Sequence, residues 1–446
     1  MKPKVLSRCK WAVLLLAALT SSGAHATWSI VMVDSATKEV AVGTVTCLDN
    51  FDLLALVPVV VVGKGGAAVQ AAGDFPGTRR PIIFDQLMLG TSPQEILNIL
   101  AGIGGHSSRQ YGIVDHRGRK ITFTGISTFQ WAGGVVGSQG TMHYAIQGNI
   151  LAGPCVVPAI EQAILNTAGD IPAKLMAGME AAREAGGDGR CSCSGSPTSC
   201  GCPPPNFTKS GHIGCMVVAR VGDSDDPACN RLGCADGDYL LRINVAFQPI
   251  GAPDPVFQLR DLFDAWRAGL MGRPDAIQST VQLDPRLIPP DGTTTSSMRI
   301  TLNDFSGQRI TAPILSLTVQ HAPDSAGLSS IGPVTDHGDG TFSLTLTAGT
   351  AAGTDRFVVT ADDGMRPVVL APPPTLRYFP FGDMNCDGAL NGGDIDPFFL
   401  ALGDPTRYGK SFPGCLIGLA DMNRDGSVNG GDIDAFFTCL GGLSCP

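Results

Sequence analysis

The chain is poor in aromatic residues, at 6%, with four Trp and five Tyr. Within residues 27–275 that scarcity joins the absence of an evident pair of opposed carboxylates. Glycoside hydrolysis needs such a pair and usually aromatic sugar platforms, so catalysis of that kind is disfavoured. Clusters of Lys and Arg are also missing, and the formal charge is −9. An acidic chain without basic patches argues against nucleic acid as a partner. No Gly-x-Ser-x-Gly elbow occurs, which argues against a Ser-His-Asp hydrolase of that type. His106, His116, His143 and His212 lack metal-ligand spacing. Beyond residue 26 no run is long and apolar enough to span a bilayer, so no membrane span is expected.

The first 26 residues have the pattern of a secretory signal. Lys2, Lys4, Arg8 and Lys10 precede the apolar stretch Trp11 to Leu19, and Ala24-His25-Ala26 is a small-x-small cleavage site. The expected location is secreted or cell-surface. Export makes disulfides the first reading of the 14 cysteines. Cys191, Cys193, Cys200, Cys202, Cys215, Cys229 and Cys234 form a dense run. Zinc held by the two Cys-x-Cys pairs is the competing reading. Cys47 and Cys155 stand apart and are expected as buried free thiols. Without Cys9 of the leader the count is odd, so at least one thiol is free or intermolecular.

Three regions follow the leader. Residues 27–275 mix strand and helix signals. Thr27 to Asp34 and Glu39 to Cys47 read as a hairpin. Further strands are expected at Leu54 to Val62, Ala67 to Ala72, Gln110 to Asp115, Lys120 to Thr124, His143 to Gln147 and Tyr239 to Phe247. Pro58 marks an edge or a bulge. Ser92-Pro93-Gln94-Glu95 is a capping box opening a helix toward Leu100. Pro154 to Asn166, Ile171 to Ala185 and Pro255 to Ala268 also read as helices. Hairpins with segregated helix pairs imply an α+β layered fold and exclude a Rossmann sheet. Residues 280–371 carry short strands at even spacing and predict a β-sandwich. They resemble the immunoglobulin-like (Ig-like) spacers of bacterial surface proteins. Pro372-Pro373-Pro374 predicts a stiff linker over 372–380. A compact module follows at 381–446.

Several segments resemble one bacterial family. They are Thr27-Trp28-Ser29-Ile30-Val31, Arg109-Gln110-Tyr111-Gly112-Ile113-Val114-Asp115, Gln147-Gly148-Asn149-Ile150-Leu151-Ala152-Gly153 and Pro253-Asp254-Pro255-Val256. The family is the domain-of-unknown-function family 1028, regarded as Ntn-hydrolase-like. The similarity covers most of residues 27–270, with the Cys-rich stretch 188–235 resembling an insertion. It implies a four-layer αββα fold and hydrolysis of an amide bond.

Position supports one part of this independently. Cleavage after Ala26 would make Thr27 the first residue. Its own α-amine, with a pKa near neutrality, would then serve as base for its hydroxyl. The plainer reading is that Thr27 merely follows a leader. Asn149, or else Gln147 or helix-start amides near Gly153, would donate to an oxyanion. The competing reading is that Gly148 and Gly153 shape a structural turn. Lys64 and Asp34 are weaker candidates for tuning the amine. Arg109 and Asp115 either bind substrate or pair with each other. Trp28 and Trp131 read as core.

The last region contains one loop pattern twice. Asp383, Asn385, Asp387, Asn391 and Asp394 stand at positions 1, 3, 5, 9 and 12, as do Asp421, Asn423, Asp425, Asn429 and Asp432. Ala389 and Ser427 supply a backbone carbonyl at position 7, and Gly388 and Gly426 turn the chain at position 6. That is calcium-loop spacing, and two calcium ions are expected. Ile395, Phe398, Phe399 and Leu402 repeat as Ile433, Phe436, Phe437 and Leu440, one helix face each. The module resembles a type I dockerin, which implies a cohesin-like or cell-surface partner. Gly392-Gly393 and Gly430-Gly431 depart from the dockerin pattern where cohesins read it. The departure speaks against a cellulosome-type cohesin and leaves an intramolecular or cell-surface role open.

Taken together the residues imply an exported N-terminal-nucleophile amidohydrolase with a calcium-binding anchoring module. Two alternatives stand beside it. One is a non-catalytic cell-surface binding or adhesion protein. The other is a component associated with polysaccharide catabolism through its dockerin.

Overall fold

The computed structural model describes residues 27–194, 198, 200–326 and 329–442. The expected leader at 1–26 lies outside them. No helix among the described residues is long and apolar enough to cross a membrane.

In chain order the first domain comprises β1 (Thr27–Asp34), β2 (Val40–Thr46), β3 (Pro58–Val61), β4 (Gly65–Ala71), α1 (Arg79–Met88), α2 (Pro93–Ala101), β5 (Arg109–Asp115), β6 (Lys120–Thr124), β7 (Gly133–Gln139), β8 (Met142–Asn149), α3 (Val156–Asn166), α4 (Ile171–Glu184), α5 (Gly189–Ser192), β9 (Ile213–Ala219), β10 (Leu241–Val245) and α6 (Pro255–Ala268). One sheet runs β10-β9-β2-β1-β8-β7 and the other β3-β4-β5-β6. All of these pairings are antiparallel.

Side-chain alternation divides the strands between layers. Trp28, Ile30 and Met32 of β1 pack with Ile160, Leu175 and Leu259 of α3, α4 and α6. Val31 and Val33 face the other sheet and meet Val60, Ala68 and Val114. On the far side of that sheet Val59, Ala67 and Val69 pack against Ile83, Leu87 and Ile96 of α1 and α2. The order of layers is therefore helix, sheet, sheet, helix. Fully burying one Val or Leu contributes about 1.5–3 kcal/mol, so these three interfaces hold the domain together.

Ser92 caps α2 with the expected reciprocal capping box, and α6 spans the expected residues. Pro58 is the first residue of β3, an edge strand, where its missing N–H costs no ladder bond. Leu54 to Val57 form a turn instead of the expected strand. Leu53, Leu54 and Val57 are nonetheless buried against the inter-sheet core. The stretch 188–235 is not merely an insertion. It supplies β9, which pairs with β2 in the six-stranded sheet.

The cysteine expectations need correction. Cys47 and Cys155 are not free. Cys47 bonds Cys191 and Cys155 bonds Cys202, tying the Cys-rich stretch to the sheet and to α3. Cys193–Cys200 and Cys229–Cys234 close short loops, and Cys386–Cys415 lies in the last module. Cys215, buried on β9, is the free thiol among the described residues.

The second domain contains β11 (Thr280–Asp284), β12 (Leu287–Ile288), β13 (Thr295–Thr301), β14 (Ser316–His321), β15 (Ser330–Ile331), β16 (Thr335–Asp336), β17 (Thr341–Thr347), β18 (Gly353–Asp362), β19 (Pro367–Val369) and β20 (Thr375–Tyr378). Its sheets, β11-β13-β17-β15 and β12-β20-β18-β14, enclose Met298, Ile300, Leu344, Leu346, Phe357 and Val359. The expected Pro-rich linker over 372–380 is not free chain. Thr375–Tyr378 pairs with β18 and β12 as a strand of the sandwich. Three prolines precede that strand without removing any N–H it needs.

Arg220 anchors the connector between the first two domains. Its guanidinium meets Glu39 at 2.8 Å and Asp275 at 2.7 Å, all three side chains being nearly fully buried. Arg366 adds a bond to Asp223 at 2.9 Å, and Arg273 one to Asp363 at 2.6 Å.

The last module holds α7 (Ile395–Gly403), α8 (Pro405–Ser411) and α9 (Ile433–Leu440). Phe398 and Phe436 stack with centroids 4.0 Å apart in its core. Their neighbours Phe399 and Phe437 stay 43% exposed, so the repeated apolar stripe is only partly covered.

Candidate functional site

Antiparallel pairing of β1 with β8 sets Thr27 directly opposite Asn149. Thr27 has the parity of Ser29 and Val31, so its side chain lies on the face toward the second sheet. Asn149 shares that face with Gln147 and Ala145. Both predicted residues are buried, at 3% and 1% exposure. They stand where the apolar layer between the sheets gives way to polar side chains.

The polar end is tightly connected. Gln70 of β4 donates from Nε2 to the Thr27 carbonyl at 2.7 Å and to Gln110 Oε1 at 2.7 Å. Ser29 Oγ donates to Gln70 Oε1 and is 3.0 Å from Thr44 Oγ1. Gln110 Nε2 reaches Thr124 Oγ1 at 2.8 Å, Gly133 O at 3.2 Å and Gly148 O at 2.9 Å. These amides link the two sheets at the end that bears Thr27. Gln147 is different. Among the described residues neither atom of its buried amide finds a hydrogen-bond partner. It lies against Gly112 of the facing sheet, where a Cβ would collide with the amide.

A second group closes the same end. Asp188, fully buried, accepts from Cys47 N at 2.7 Å. Arg190 on α5 donates to Asp188 at 2.8 Å and to Thr46 Oγ1 at 3.3 Å. The bond Cys47–Cys191 fixes α5 to the end of β2. His212, next to β9, lies within metal-ligand reach of those two sulfurs. Its imidazole is pulled below its ordinary pKa by burial and then by Lys209. Sulfurs joined in a disulfide do not ligate zinc as thiolates do, which removes Cys191 from the zinc reading.

Other candidates fall elsewhere. Asp34 ends β1, at the opposite edge from Thr27, and accepts from Ala36 N, Thr37 N and Thr141 Oγ1 in a turn. Lys64 occupies the β3–β4 turn, where its carbonyl accepts from His116 N. Neither joins Thr27. Arg109 and Asp115 do not pair, because they stand at opposite ends of β5. Asp115 pairs instead with Arg119 at 2.6 Å. The α3 entrance near Gly153 is covered by Cys202, whose Sγ accepts from Cys155 N at 3.0 Å. Trp28 is fully buried in the helical core, and Trp131 packs against it.

The two C-terminal loops share one backbone form. Position 4 has positive φ in both, Cys386 at 57° and Arg424 at 59°, and Gly388 and Gly426 follow at 97° and 86°. Asp394 accepts from Met384 N, Asn385 N and Asn391 N at 2.8–3.0 Å. Asp432 accepts from Asn423 N and Asn429 N in the same way. Asp383 and Asp421 receive the amides of Gly388 and Gly426 at 2.9 Å. Burial first, then the Asp394 and Asp387 carboxylates, push the Asp383 carboxyl above its ordinary range. An all-oxygen donor set with crowded negative charge fits a hard divalent cation.

Comparison with known proteins divides the chain. Residues 27–198 match a family of unknown function (DUF1028), and residues 275–366 match invasin domain 3. No curated protein matches. A Silicibacter pomeroyi protein of the DUF1028 family has a solved structure that is 16% identical, with a TM-score of 0.39 over 54% of this chain and 88% of that one. The Yersinia pseudotuberculosis adhesin InvE is 31% identical over 23% of this chain, with a TM-score of 0.19. This chain spans 26% of that adhesin's length. Invasin, a bacterial integrin-binding protein, is 12% identical over 79% of this chain and 60% of its own, also at 0.19. The front domain is thus similar to the DUF1028 family over residues 27–198, and the sandwich is similar to an Ig-like invasin domain.

Proposed function

We propose that the front domain is an exported N-terminal-nucleophile hydrolase that cleaves an amide bond. The observation that carries this reading is the pairing of Thr27 with Asn149 at the polar end of the inter-sheet layer. Once Thr27 is the first residue, its amine accepts the hydroxyl proton as Oγ1 attacks the amide carbonyl. The Asn149 amide donates to the resulting oxyanion. The amine then returns the proton to the departing nitrogen, and water hydrolyses the threonyl ester. Gln70 keeps β1 seated by holding the Thr27 carbonyl, and Gln110 holds Gln70 in turn. Intact-mass analysis of the exported protein tests the premise: its chain should begin at Thr27.

The C-terminal module, in this proposal, binds two calcium ions and anchors the enzyme in the manner of a dockerin. Asp383, Asn385, Asp387, Ala389 (carbonyl), Asn391 and Asp394 would hold one ion. Asp421, Asn423, Asp425, Ser427 (carbonyl), Asn429 and Asp432 would hold the other. Calcium would relieve the repulsion among each loop's carboxylates.

A second reading is favoured by the invasin-domain match at 275–366. In it the chain is a cell-surface binding protein and the front domain a non-catalytic ligand module. Loss of surface retention on deleting the module, with no amidase activity in any processed form, would favour it.

A further inference from the structure

The outer face of the four-stranded sheet gathers two guanidinium groups and an imidazole with few carboxylates to match them. Arg109 opens β5. It alternates with Gln110 of the inter-sheet network, so its side chain lies on the opposite face, beside Tyr111. Tyr111 Oη accepts from Arg79 Nε at 3.1 Å. His106 lies against Tyr111 and Phe123, with ring centroids at 5.7 and 4.1 Å. Three nitrogen-bearing side chains thus meet around one Tyr–Phe pair.

The nearby carboxylate, Asp74, is already committed. It accepts from the amides of Thr78, Arg79 and Arg80 at the start of α1. It pairs with Arg80 at 3.5 Å and reaches Arg79 only at 3.8 Å. Among the described residues Arg109 makes no side-chain hydrogen bond or ion pair. Arg109 Nε and His106 Nδ1 are both buried without a partner among the described residues. Polar nitrogens left in that state forfeit hydration and gain nothing in return. Burial, and then the charge of Arg79, lower the pKa of both Arg109 and His106. An apolar cluster would serve stability better. An arriving anion removes the deficit.

We propose that Arg109, His106 and Arg79 form a binding site for the oxyanion of a small molecule, a carboxylate or a phosphate. Planar guanidinium donors suit both. Gly125 N donates to Arg109 O at 2.9 Å and Ser127 N to Ser107 O at 2.8 Å. These bonds seat the β6–β7 loop, which crosses from one sheet to the other at the Thr27 end, beside the site. Anion binding there requires no chemistry at Thr27.

Calorimetry on the full chain at low ionic strength, with sodium phosphate and sodium acetate titrated separately against a chloride background, tests this. One of the two anions is expected to bind saturably, one per chain. Arg109→Gln should weaken that binding at least tenfold, and Arg109→Lys less. Arg356→Gln should leave it unchanged, since Arg356 is exposed and pairs with Asp324. Circular dichroism melting of each variant separates lost binding from lost fold. Thr27→Ala should bind the anion as the native chain does, so failure of the hydrolase reading would not affect the result. No saturable binding of either anion overturns the proposal. So does equal binding by a folded Arg109→Gln variant.

Discussion

The carbonyl of Thr27 accepts a hydrogen bond from Gln70 Nε2 at 2.7 Å, across the gap between the two sheets. The first described residue of the six-stranded sheet is thereby held from the opposite sheet. Gln70 is itself buried and bonded to Ser29 and Gln110. Gln70→Leu should therefore remove the donor that the Thr27 carbonyl and Gln110 Oε1 share. A buried polar group so stranded costs about 1–3 kcal/mol. Urea unfolding should show a loss of that size, and turnover should fall further than stability does. A variant with native stability would show that the network does not seat β1.

Arg220 is expected to matter more. Removing one member of a buried ion group strands the remaining charges, at a cost of about 3–5 kcal/mol. Arg220→Met should destabilise the first two domains together, because it leaves Glu39 and Asp275 buried and uncompensated. Calorimetric melting would register the change. Separate transitions, with the sandwich unaffected, would contradict it.

Acid should weaken the fold through histidine. Burial is the first cause lowering the pKa of His106, His116, His143 and His212. Their folded values lie below the ordinary 6.5, so between those values and 6.5 the unfolded chain binds more protons. Stability is then fully present above 6.5 and declines as pH falls through 6.5 toward the folded values. Melting temperature should drop from pH 7.5 to pH 6. A His143→Gln/His212→Gln variant should show a shallower drop. An unchanged slope would count against this assignment.

Calcium should order the last module. Titration calorimetry should find two ions per chain, and Asp383→Ala should remove one. A chelator should lower the melting transition of the module, since binding to the folded form alone adds stability by linkage. Absence of calcium binding would end that part of the account.

The elements legible in the sequence were those with strong local signals. The capping box at Ser92, the Asp-Pro start of α6 and the apolar hairpin pattern of β1 and β2 each fix structure within a few residues. Thr27 and Asn149 were legible as separate candidates, whereas their facing positions depend on pairing between distant strands. β7 is not legible because Gly133, Gly134 and Gly137 dilute its strand signal and it lies at a sheet edge. β9 was hidden inside the Cys-rich stretch, although Ile213 to Ala219 is a continuous apolar run of the kind a buried strand shows. Gln70, Asp188 and Arg190 carry no sequence signature. An isolated polar residue reads as surface until the fold buries it. The cysteine pairing was opaque for the same reason, since Cys47 and Cys191 are 144 residues apart.

The proposed hydrolysis depends on a free Thr27 amine, which covalent labelling reports. A chain processed to begin at Thr27 should be treated with an electrophilic probe and compared with a chain bearing one extra residue before Thr27. Intact mass and peptide mapping should show one adduct on Thr27 in the first and none in the second, because an acylated nitrogen is no base. Thr27→Ala should also remain unlabelled while keeping its fold. Equal labelling of the processed and extended chains would contradict the account.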